Sequence, residues 1–517
     1  MTARKLSVHR GAYLDSMVLM SATVSMEQSP GASWAGAFMA TPKARDDLAS
    51  QGFSRDDLGG LGANDVVLAV EGDDDAAVDA ALQAGRDTAF GEGDAGPAST
   101  ADAAPASIAD AVRRNADANV AIVSVPGEYA ALEAHHALSA GLHVLLFSDG
   151  VSLDEEIELK ERAAGLGLLV MGPGAGTSVL GGTGLGFANA LTADVTSTGS
   201  VGVVAAAGTG AQEVSALLDR WGAGVTNVIG VGGRDLGVAV GGLMAKPATR
   251  ALDADPGTSA VLLVSKPPSP EVAASVLAEC ASTPAVAVFL GLAQVEHLAN
   301  THIARTLERG ARAAAELVGV SPPLPWLGLR ASVAVACERL APRRAVVRGF
   351  FSGGTLCYEA QVILEELLGP IYSNEPLRQE HGLPAPDAAH VLLDLGAEEY
   401  TRGVPHPMID PSGRIDLLRR QRDDPTVAVV LLDVVLGHGA HPDPAGQLAP
   451  VLAELTADGG PVVVAYVLGT QADPQVYSRQ RATLEEVGAI VPETNARAAY
   501  AAAALALRNP DLTETST

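Results

Sequence analysis

Two short segments combine glycine with hydroxyl side chains in a pattern that can bind an oxyanion. Each follows an apolar run and precedes an amphipathic stretch, so each predicts a turn from a strand into a helix. Such turns expose backbone amides at the positive end of a helix dipole, where phosphate or carboxylate is favoured. The residues are Gly208, Thr209 and Gly210 in the first segment and Ser352, Gly353, Gly354 and Thr355 in the second. We predict an anion-binding site, and a threonine-capped tight turn is the alternative.

Two cations follow apolar runs in the same part of the chain. Arg234 comes after the predicted strand 227–231, and Lys266 comes directly after the predicted strand 260–265. Ligands of open α/β sheets bind at the carboxyl ends of strands, where a guanidinium or an ammonium can hold an oxyanion. We therefore predict Lys266, Arg234 and Thr209 as catalytic residues. A surface Arg234–Asp235 pair and a solvated loop lysine are the alternatives.

Histidines in the last part of the chain are candidates for proton transfer. His406 lies in the segment PHPMIDP, and His438 lies close to His441 and Asp443. Because imidazole titrates near neutral pH, His406 or His438 can act as an acid, a base or a substrate ligand. Packing of these rings in proline-rich loops is the alternative, and we expect no metal site.

The overall composition restricts the class of partner. Of 517 residues, 34 are Lys or Arg and 61 are Asp or Glu, a formal net charge of −27. This acidity argues against nucleic acid and anionic membranes, which attract basic patches. Three scattered cysteines and the lack of an apolar run of roughly 18 residues predict a cytoplasmic protein without a membrane span.

The elements that would position these residues alternate regularly after residue 120. Short Val, Ile and Leu runs separated by helical stretches predict βαβ units and parallel sheets. Four features recur in the same order in two blocks: a strand with a small-residue turn into a helix, a strand that ends at a glycine, a second helix, and an acidic-proline turn followed by an apolar strand. This order predicts a tandem duplication of a flavodoxin-like unit. The recurring stretches are 201–218, 227–236 and 251–266 in the first block and 347–364, 390–400 and 417–435 in the second.

Several strings resemble known families. MGPGAGTS (171–178) resembles the glycine-proline loop of succinyl-CoA synthetase alpha subunits, and SGGTLCYEA (352–360) resembles their SGTLTYEA segment. A more specific set resembles the FdrA family in order along residues 5–500. These strings are VSVPGEYAA (123–131), FSDGVSLDEEIELK (147–160), LLVMGP (168–173), GVGGRDL (230–236), VSKPP (264–268), PHPMIDP (405–411) and VLLDVV (430–435).

The resemblance implies an α/β fold, with a CoA-binding-like Rossmann domain followed by two tandem flavodoxin-like domains of the succinyl-CoA synthetase type. The expected segments are 1–90 (the N-terminal α/β part of the CoA-binding-like domain), 91–106 (a linker), 107–197 (the CoA-binding-like domain), 198–320 (the first flavodoxin-like domain) and 340–510 (the second).

The resemblance also implies a function. FdrA proteins belong to a multi-subunit carbamoyltransferase that converts oxalurate and phosphate to oxamate and carbamoyl phosphate in allantoin and purine degradation. We therefore expect YlbE-like and YlbF-like partner subunits, an oligomer, a small anionic substrate and no required cofactor. The alternatives are an NDP-forming acyl-CoA synthetase, which would use CoA and ATP, and a non-catalytic scaffold.

Departures from the synthetase pattern favour carbamoyl transfer. The GHAGA segment that carries the phosphohistidine of succinyl-CoA synthetases is missing after Gly291, where His297 and His302 stand alone on a helical pattern. The glutamate that orients that histidine falls at about Lys266. The loop that holds CoA phosphates is matched by RGAYLDS (10–16), which has a single glycine.

Overall fold

Most of the short apolar runs become buried strands, and from residue 120 onwards most of these pair in parallel. The computed structural model describes residues 3–12, 14, 16–54, 58–91, 105–195, 199–292, 301–401 and 404–515. Residues 92–104, which make up most of the predicted linker, lie outside this description. One compact unit contains Met1–Arg114 with Ser124–Pro126, and the other contains Asn115–Val123 with Gly127–Thr517. Within the described ranges, no helix is long and apolar enough to cross a bilayer.

The first unit is built on a three-stranded antiparallel sheet in the order β1-β3-β2. Its elements are β1 (Ala3–His9), α1 (Ser16–Glu27), β2 (Ala32–Met39), α2 (Pro42–Ser50), β3 (Val66–Gly72), α3 (Asp75–Phe90) and α4 (Ile108–Arg114). Met26 of α1 and Leu82 of α3 share a core with Leu68 of β3. Residues 1–90, which we predicted to be the N-terminal part of the CoA-binding-like domain, contain a sheet and a core of their own.

The second unit begins with three parallel strands. These elements are β4 (Val120–Val123), α5 (Gly127–Ser139), β5 (His143–Leu146), α6 (Leu153–Leu166) and β6 (Val170–Met171). Helix α6 begins at a reciprocal capping box between Ser152 and Glu155 and ends at Gly167, whose left-handed conformation suits glycine.

A seven-stranded sheet follows, in the order β13-β12-β11-β9-β10-β7-β8. Its strands are β7 (Thr177–Leu180), β8 (Thr183–Gly186), β9 (Ser200–Ala206), β10 (Gly224–Gly230), β11 (Ala260–Ser265), β12 (Ala285–Phe289) and β13 (Thr301–Ala304). Its helices are α7 (Gly208–Arg220), α8 (Ala245–Ala254), α9 (Pro270–Leu277) and α10 (Leu307–Leu317). Strands β9 to β13 are parallel, and the β7–β8 hairpin adds an antiparallel edge.

A five-stranded parallel sheet completes the chain, in the order β15-β16-β14-β17-β18. Its strands are β14 (Val346–Phe351), β15 (Ile371–Tyr372), β16 (His390–Asp394), β17 (Val427–Val435) and β18 (Val462–Leu468). The helices of this part are α11 (Leu329–Arg339), α12 (Gly354–Leu368), α13 (Glu398–Thr401), α14 (Ser412–Arg420), α15 (Pro444–Thr456), α16 (Tyr477–Glu486) and α17 (Asn495–Leu507).

The two larger sheets confirm the predicted flavodoxin-like duplication. The order β10-β9-β11-β12 in the first corresponds to β16-β14-β17-β18 in the second. Helix α7 leaves β9 as α12 leaves β14, each through one of the glycine segments. The last helix of each copy also starts alike, because Thr306 and Thr494 accept the amides of Arg309 and Arg497 as N-caps.

Candidate active site

The two glycine segments lie in direct contact. The backbone amide of Thr355 donates to Oγ1 of Thr209 at 3.1 Å. A Cβ on Gly210 would lie 2.9 Å from Cγ2 of Thr355, and one on Gly353 would lie 3.0 Å from Cγ2 of Thr209. Glycine at both positions therefore lets the starts of α7 and α12 approach each other. The structure brings the seven predicted anion-binding residues to one place.

The segment before α12 binds a carboxylate of the protein itself. Asp433, fully buried in β17, accepts the backbone amides of Ser352 and Gly353 at 2.8 and 2.7 Å. It also accepts the Ser352 hydroxyl at 2.8 Å, and Arg414 lies 3.3 Å away as its counter-charge. These two amides are therefore engaged, so they are not free to bind an external anion while Asp433 is in place.

The segment before α7 is open by comparison. Among the described residues no side chain caps the amides of Gly208, Thr209 and Gly210. Gly208 is exposed, and a Cβ there would meet no atom within 4 Å. Strand β11, the counterpart of β17, is AVLLVS and carries no acidic residue. The α7 terminus is thus the place where an external oxyanion can accept the first-turn amides.

Lys266 lies beside this terminus. It follows Ser265, which pairs with Ala206 at the end of β9, so Lys266 stands level with the residue before Gly208. Its ammonium is 5.7 Å from the ring centroid of Tyr358 and makes no hydrogen bond or ion pair with any residue in the described part. An ammonium that no described residue engages in a hydrogen bond or ion pair, next to uncapped amides, suits an exchangeable anion.

Asp394, which was not among the predicted site residues, lies at the same place in the second copy. It ends β16 and is 6% exposed, with Oδ1 accepting the amide of Gly396 at 3.0 Å. A Cβ on Gly354 would lie 2.4 Å from its Oδ2, so glycine admits the carboxylate to the start of α12. Burial raises the pKa of Asp394 to about 6, and the charge of Lys266 opposes that shift. The sequence signal that could have identified Asp394 is a single acidic residue at the end of an apolar strand.

Arg234 takes part in a different cluster. Its Nε pairs with Glu156 at 2.6 Å and its Nη2 donates to the Val151 carbonyl at 2.8 Å. Glu156 also pairs with the fully buried Lys160, which contacts Asp235 at 2.8 Å. No described contact joins Arg234 to Lys266 or to the glycine segments. Arg234 and Lys266, the two cations predicted to hold an oxyanion, therefore have no described contact with each other. The ion-pair partner of Arg234 is Glu156, not the adjacent Asp235.

The two candidate histidines also occupy different surroundings. Burial lowers the pKa of His406 to about 4, so the ring is neutral at pH 7, and its Nδ1 accepts the amide of Met408 at 3.2 Å. A Cβ on Gly396 would lie 2.7 Å from its Nε2, which places the ring against the loop after Asp394. His438 donates its backbone amide to Ala188 at 3.0 Å. In the described part of the chain, no three His, Cys, Asp or Glu side chains form a metal-binding group.

The histidines after Gly291 differ from the expected pattern. His297 lies outside the described residues. His302 lies on strand β13 and is exposed, so the predicted helical pattern is wrong at this position. The strand forms because residues 301–304 extend the parallel sheet beside β12.

Comparisons with known proteins agree with this architecture. Residues 350–505 match the CoA-ligase family, and residues 1–105 match a family described as AllF, heavy metal-associated domain. YahF of Escherichia coli K12, an uncharacterized FdrA-family protein, is 35% identical over 505 residues, which cover 95% of this chain and 96% of YahF. The ADP-forming succinate–CoA ligase subunit alpha 2 of Archaeoglobus fulgidus is 30% identical over 202 residues, 38% of this chain and 67% of that protein. The ADP-forming sulfoacetate-CoA ligase subunit SauD of Bilophila wadsworthia is 31% identical over 185 residues, 34% and 59% of the two chains.

The residues of the first unit do not fit the heavy metal that its family description implies. Residues 1–105 contain no cysteine and a single histidine, His9. That ring lies 4.3 Å from the ring of Phe90, and its Nε2 is 3.1 Å from Oγ of Ser7. Soft metals require thiolate or several imidazole ligands, so we assign no metal chemistry to this unit.

Proposed function

This chain belongs to the FdrA family and has the CoA-ligase fold, and we propose that it is a subunit of a carbamoyltransferase that converts oxalurate and phosphate to oxamate and carbamoyl phosphate. The observation that carries the proposal is the asymmetry between the two helix termini. The α12 segment already holds Asp433, whereas the α7 segment is uncapped and has Lys266 beside it. Of these two described helix termini, the start of α7 is therefore the one that is open to an external oxyanion.

The proposed reaction uses these groups directly. Phosphate bound by the amides of Gly208–Gly210 and by Lys266 attacks the carbamoyl carbon of oxalurate. The new bond joins a phosphate oxygen to that carbon, the carbon–nitrogen bond to oxamate breaks, and the oxamate nitrogen gains a proton. Preorganised amides and a cation stabilise the negative charge of the tetrahedral intermediate. Thr209 positions the segment through its bond to Thr355.

An acyl-CoA ligase is the second candidate, supported by the CoA-ligase match and by the ligases among its relatives. Two sequence features weigh against it. GHAGA is missing after Gly291, and Lys266 stands at about the position of the glutamate that orients the phosphohistidine in succinyl-CoA synthetases. A ligase of that type needs both groups.

The test is reconstitution with the partner subunits that we propose, which are YlbE-like and YlbF-like proteins. The complex should release carbamoyl phosphate from oxalurate and phosphate without CoA or ATP. Thr209→Val combined with Lys266→Ala should abolish turnover, whereas Lys246→Ala, in the same flavodoxin-like copy, should not change it. Thioester formation from a carboxylic acid, CoA and ATP would favour the ligase. Full activity of partner subunits without this chain would favour a scaffold.

A further inference from the structure

Among the described residues, one of the two carboxylate oxygens of Asp394 has no hydrogen-bond donor. Oδ1 accepts the Gly396 amide at 3.0 Å, but Oδ2 accepts no hydrogen bond from any described residue. The backbone is fixed on both sides of the residue, because the Asn374 side chain accepts its amide and donates to its carbonyl, each at 2.9 Å. The side chain is 6% exposed, and Oδ2 is its oxygen that no described residue engages, so Oδ2 is the atom that we consider for proton transfer.

The groups around Asp394 set its charge. Lys266 favours the carboxylate, whereas Glu375 and Asp433 favour the protonated acid. The buried thiol of Cys357 also lies near Asp394, and burial keeps its pKa well above the ordinary value, so that it stays neutral. Burial has the largest effect, and both protonation states of Asp394 are therefore accessible near neutral pH.

We propose that Asp394 carries the proton of the carbamoyl transfer, giving it to the leaving oxamate nitrogen and regaining it from the phosphate. This inference rests on the proposed function. The acid form of Asp394 protonates the nitrogen as the carbon–nitrogen bond breaks. The carbamoyl hydrogen phosphate that forms then returns its hydroxyl proton to the carboxylate. The proton of hydrogen phosphate thus ends on oxamate, and Asp394 is restored.

Placement supports this role over the histidines. Asp394 lies at the start of α12, and Lys266 lies beside the start of α7, where the phosphate binds in the proposal. His406 packs against Gly396, and burial lowers its pKa to about 4, so its ring is neutral and does not serve as an acid at pH 7. Among the described carboxylates at the two segments, Asp433 is fully engaged by Ser352, Gly353 and Arg414.

The first test is the pH dependence of oxamate release by the reconstituted complex. The wild-type rate should fall above the pKa of Asp394, because the acid form is required. Asp394→Asn should lower the rate about 100-fold or more and remove that falling limb. Asp394→Glu should restore part of the rate with a shifted limb, and the surface control Asp416→Asn should behave as wild type. An unchanged rate and profile in Asp394→Asn would overturn the inference and leave the proposed function standing.

A second readout does not require turnover. Oxamate is a fixed monoanion near neutral pH, so any proton that the complex takes up from the buffer when oxamate binds is gained by a group of the protein. Calorimetry in buffers of different ionisation enthalpy should show proton uptake with the wild type and none with Asp394→Asn, although both bind oxamate. Equal uptake by both would overturn the role of Asp394. A wild-type complex that neither binds oxamate nor forms carbamoyl phosphate would instead overturn the proposed function and this inference with it.

Discussion

Thr209 and Thr355 occupy equivalent positions in the two copies, and the amide of Thr355 donates to the hydroxyl of Thr209 at 3.1 Å. Farther along the same helices, Glu213 accepts the Asn495 amide of the second copy at 3.4 Å, and Glu359 accepts the Leu307 amide of the first copy at 2.6 Å. Each copy thus anchors the last helix of the other. The duplication places the starts of α7 and α12 next to each other. The two starts differ because Asp433 accepts amides before α12, whereas no described side chain caps α7.

Lys266→Ala should weaken binding of phosphate to the chain. The ammonium makes no hydrogen bond or ion pair with a described residue, and Asp394, the buried carboxyl that its charge influences, can take up a proton when that charge is removed, so the variant should not unfold. We expect a loss of affinity of about tenfold or more, from about 1.5–3 kcal/mol for a charge-assisted contact. Calorimetric titration with phosphate checks this, with Lys246→Ala as the matched control. Unchanged affinity in Lys266→Ala would remove this residue from the site.

Asp433→Ala should strongly destabilise the fold. It leaves the buried amides of Ser352 and Gly353 without an acceptor and Arg414 without its counter-charge. Breaking a buried pair of this kind costs about 3–5 kcal/mol. Urea unfolding measures the loss, and formate, which matches the missing carboxylate, should recover part of it. Asp416→Ala, at an exposed site, should change the free energy of unfolding little. A variant as stable as wild type would show that Asp433 does not hold this segment.

Asp394→Asn should change stability in a pH-dependent way. The pKa of Asp394 is raised to about 6 in the folded chain, against about 3.9 in an unfolded one. A raised carboxyl pKa stabilises the fold below the unfolded value, and that contribution is lost as the pH rises through the folded value. Relative to wild type, the variant should therefore gain up to about 3 kcal/mol above pH 6 and nothing below pH 4. Denaturant unfolding between pH 4 and 8 checks this, and a constant difference across that range would contradict it.

Glu308→Ala should cost more than any surface ion-pair deletion in the same chain. Glu308 is 2% exposed, pairs with Arg497 at 2.7 Å and accepts the Thr494 hydroxyl at 2.6 Å. Removing it leaves a buried guanidinium unpaired, at about 3–5 kcal/mol. The exposed pair of Arg305 and Glu366 offers the control, because Glu366→Ala should cost less than about 1 kcal/mol. Equal costs in urea unfolding would show that Glu308 is not required to neutralise Arg497.

The strands and helices of this fold can be predicted from local sequence patterns, but the residues that contact its site residues cannot. The glycine segments and Lys266 were predictable because strand, turn and helix signals lie within a few residues of one another. Asp433 and Asp394 were missed because an acidic residue in an apolar strand has meaning only once its neighbours are known. Those neighbours, Ser352 and Gly354, are 81 and 40 positions away in the sequence. Arg234 similarly finds Glu156 across 78 residues.

Ligand binding by the purified chain is the measurement that tests the central claim most directly. The chain is titrated with carbamoyl phosphate, oxamate, phosphate, CoA and ATP, and its thermal unfolding is followed with each. A ligand at 100 times its Kd adds about 2.7 kcal/mol, which is readily detected. We predict stabilisation by carbamoyl phosphate or oxamate that is lost in Lys266→Ala and kept in Lys246→Ala. Stabilisation by CoA or ATP, with no response to carbamoyl phosphate or oxamate even when the partner subunits are present, would contradict the account.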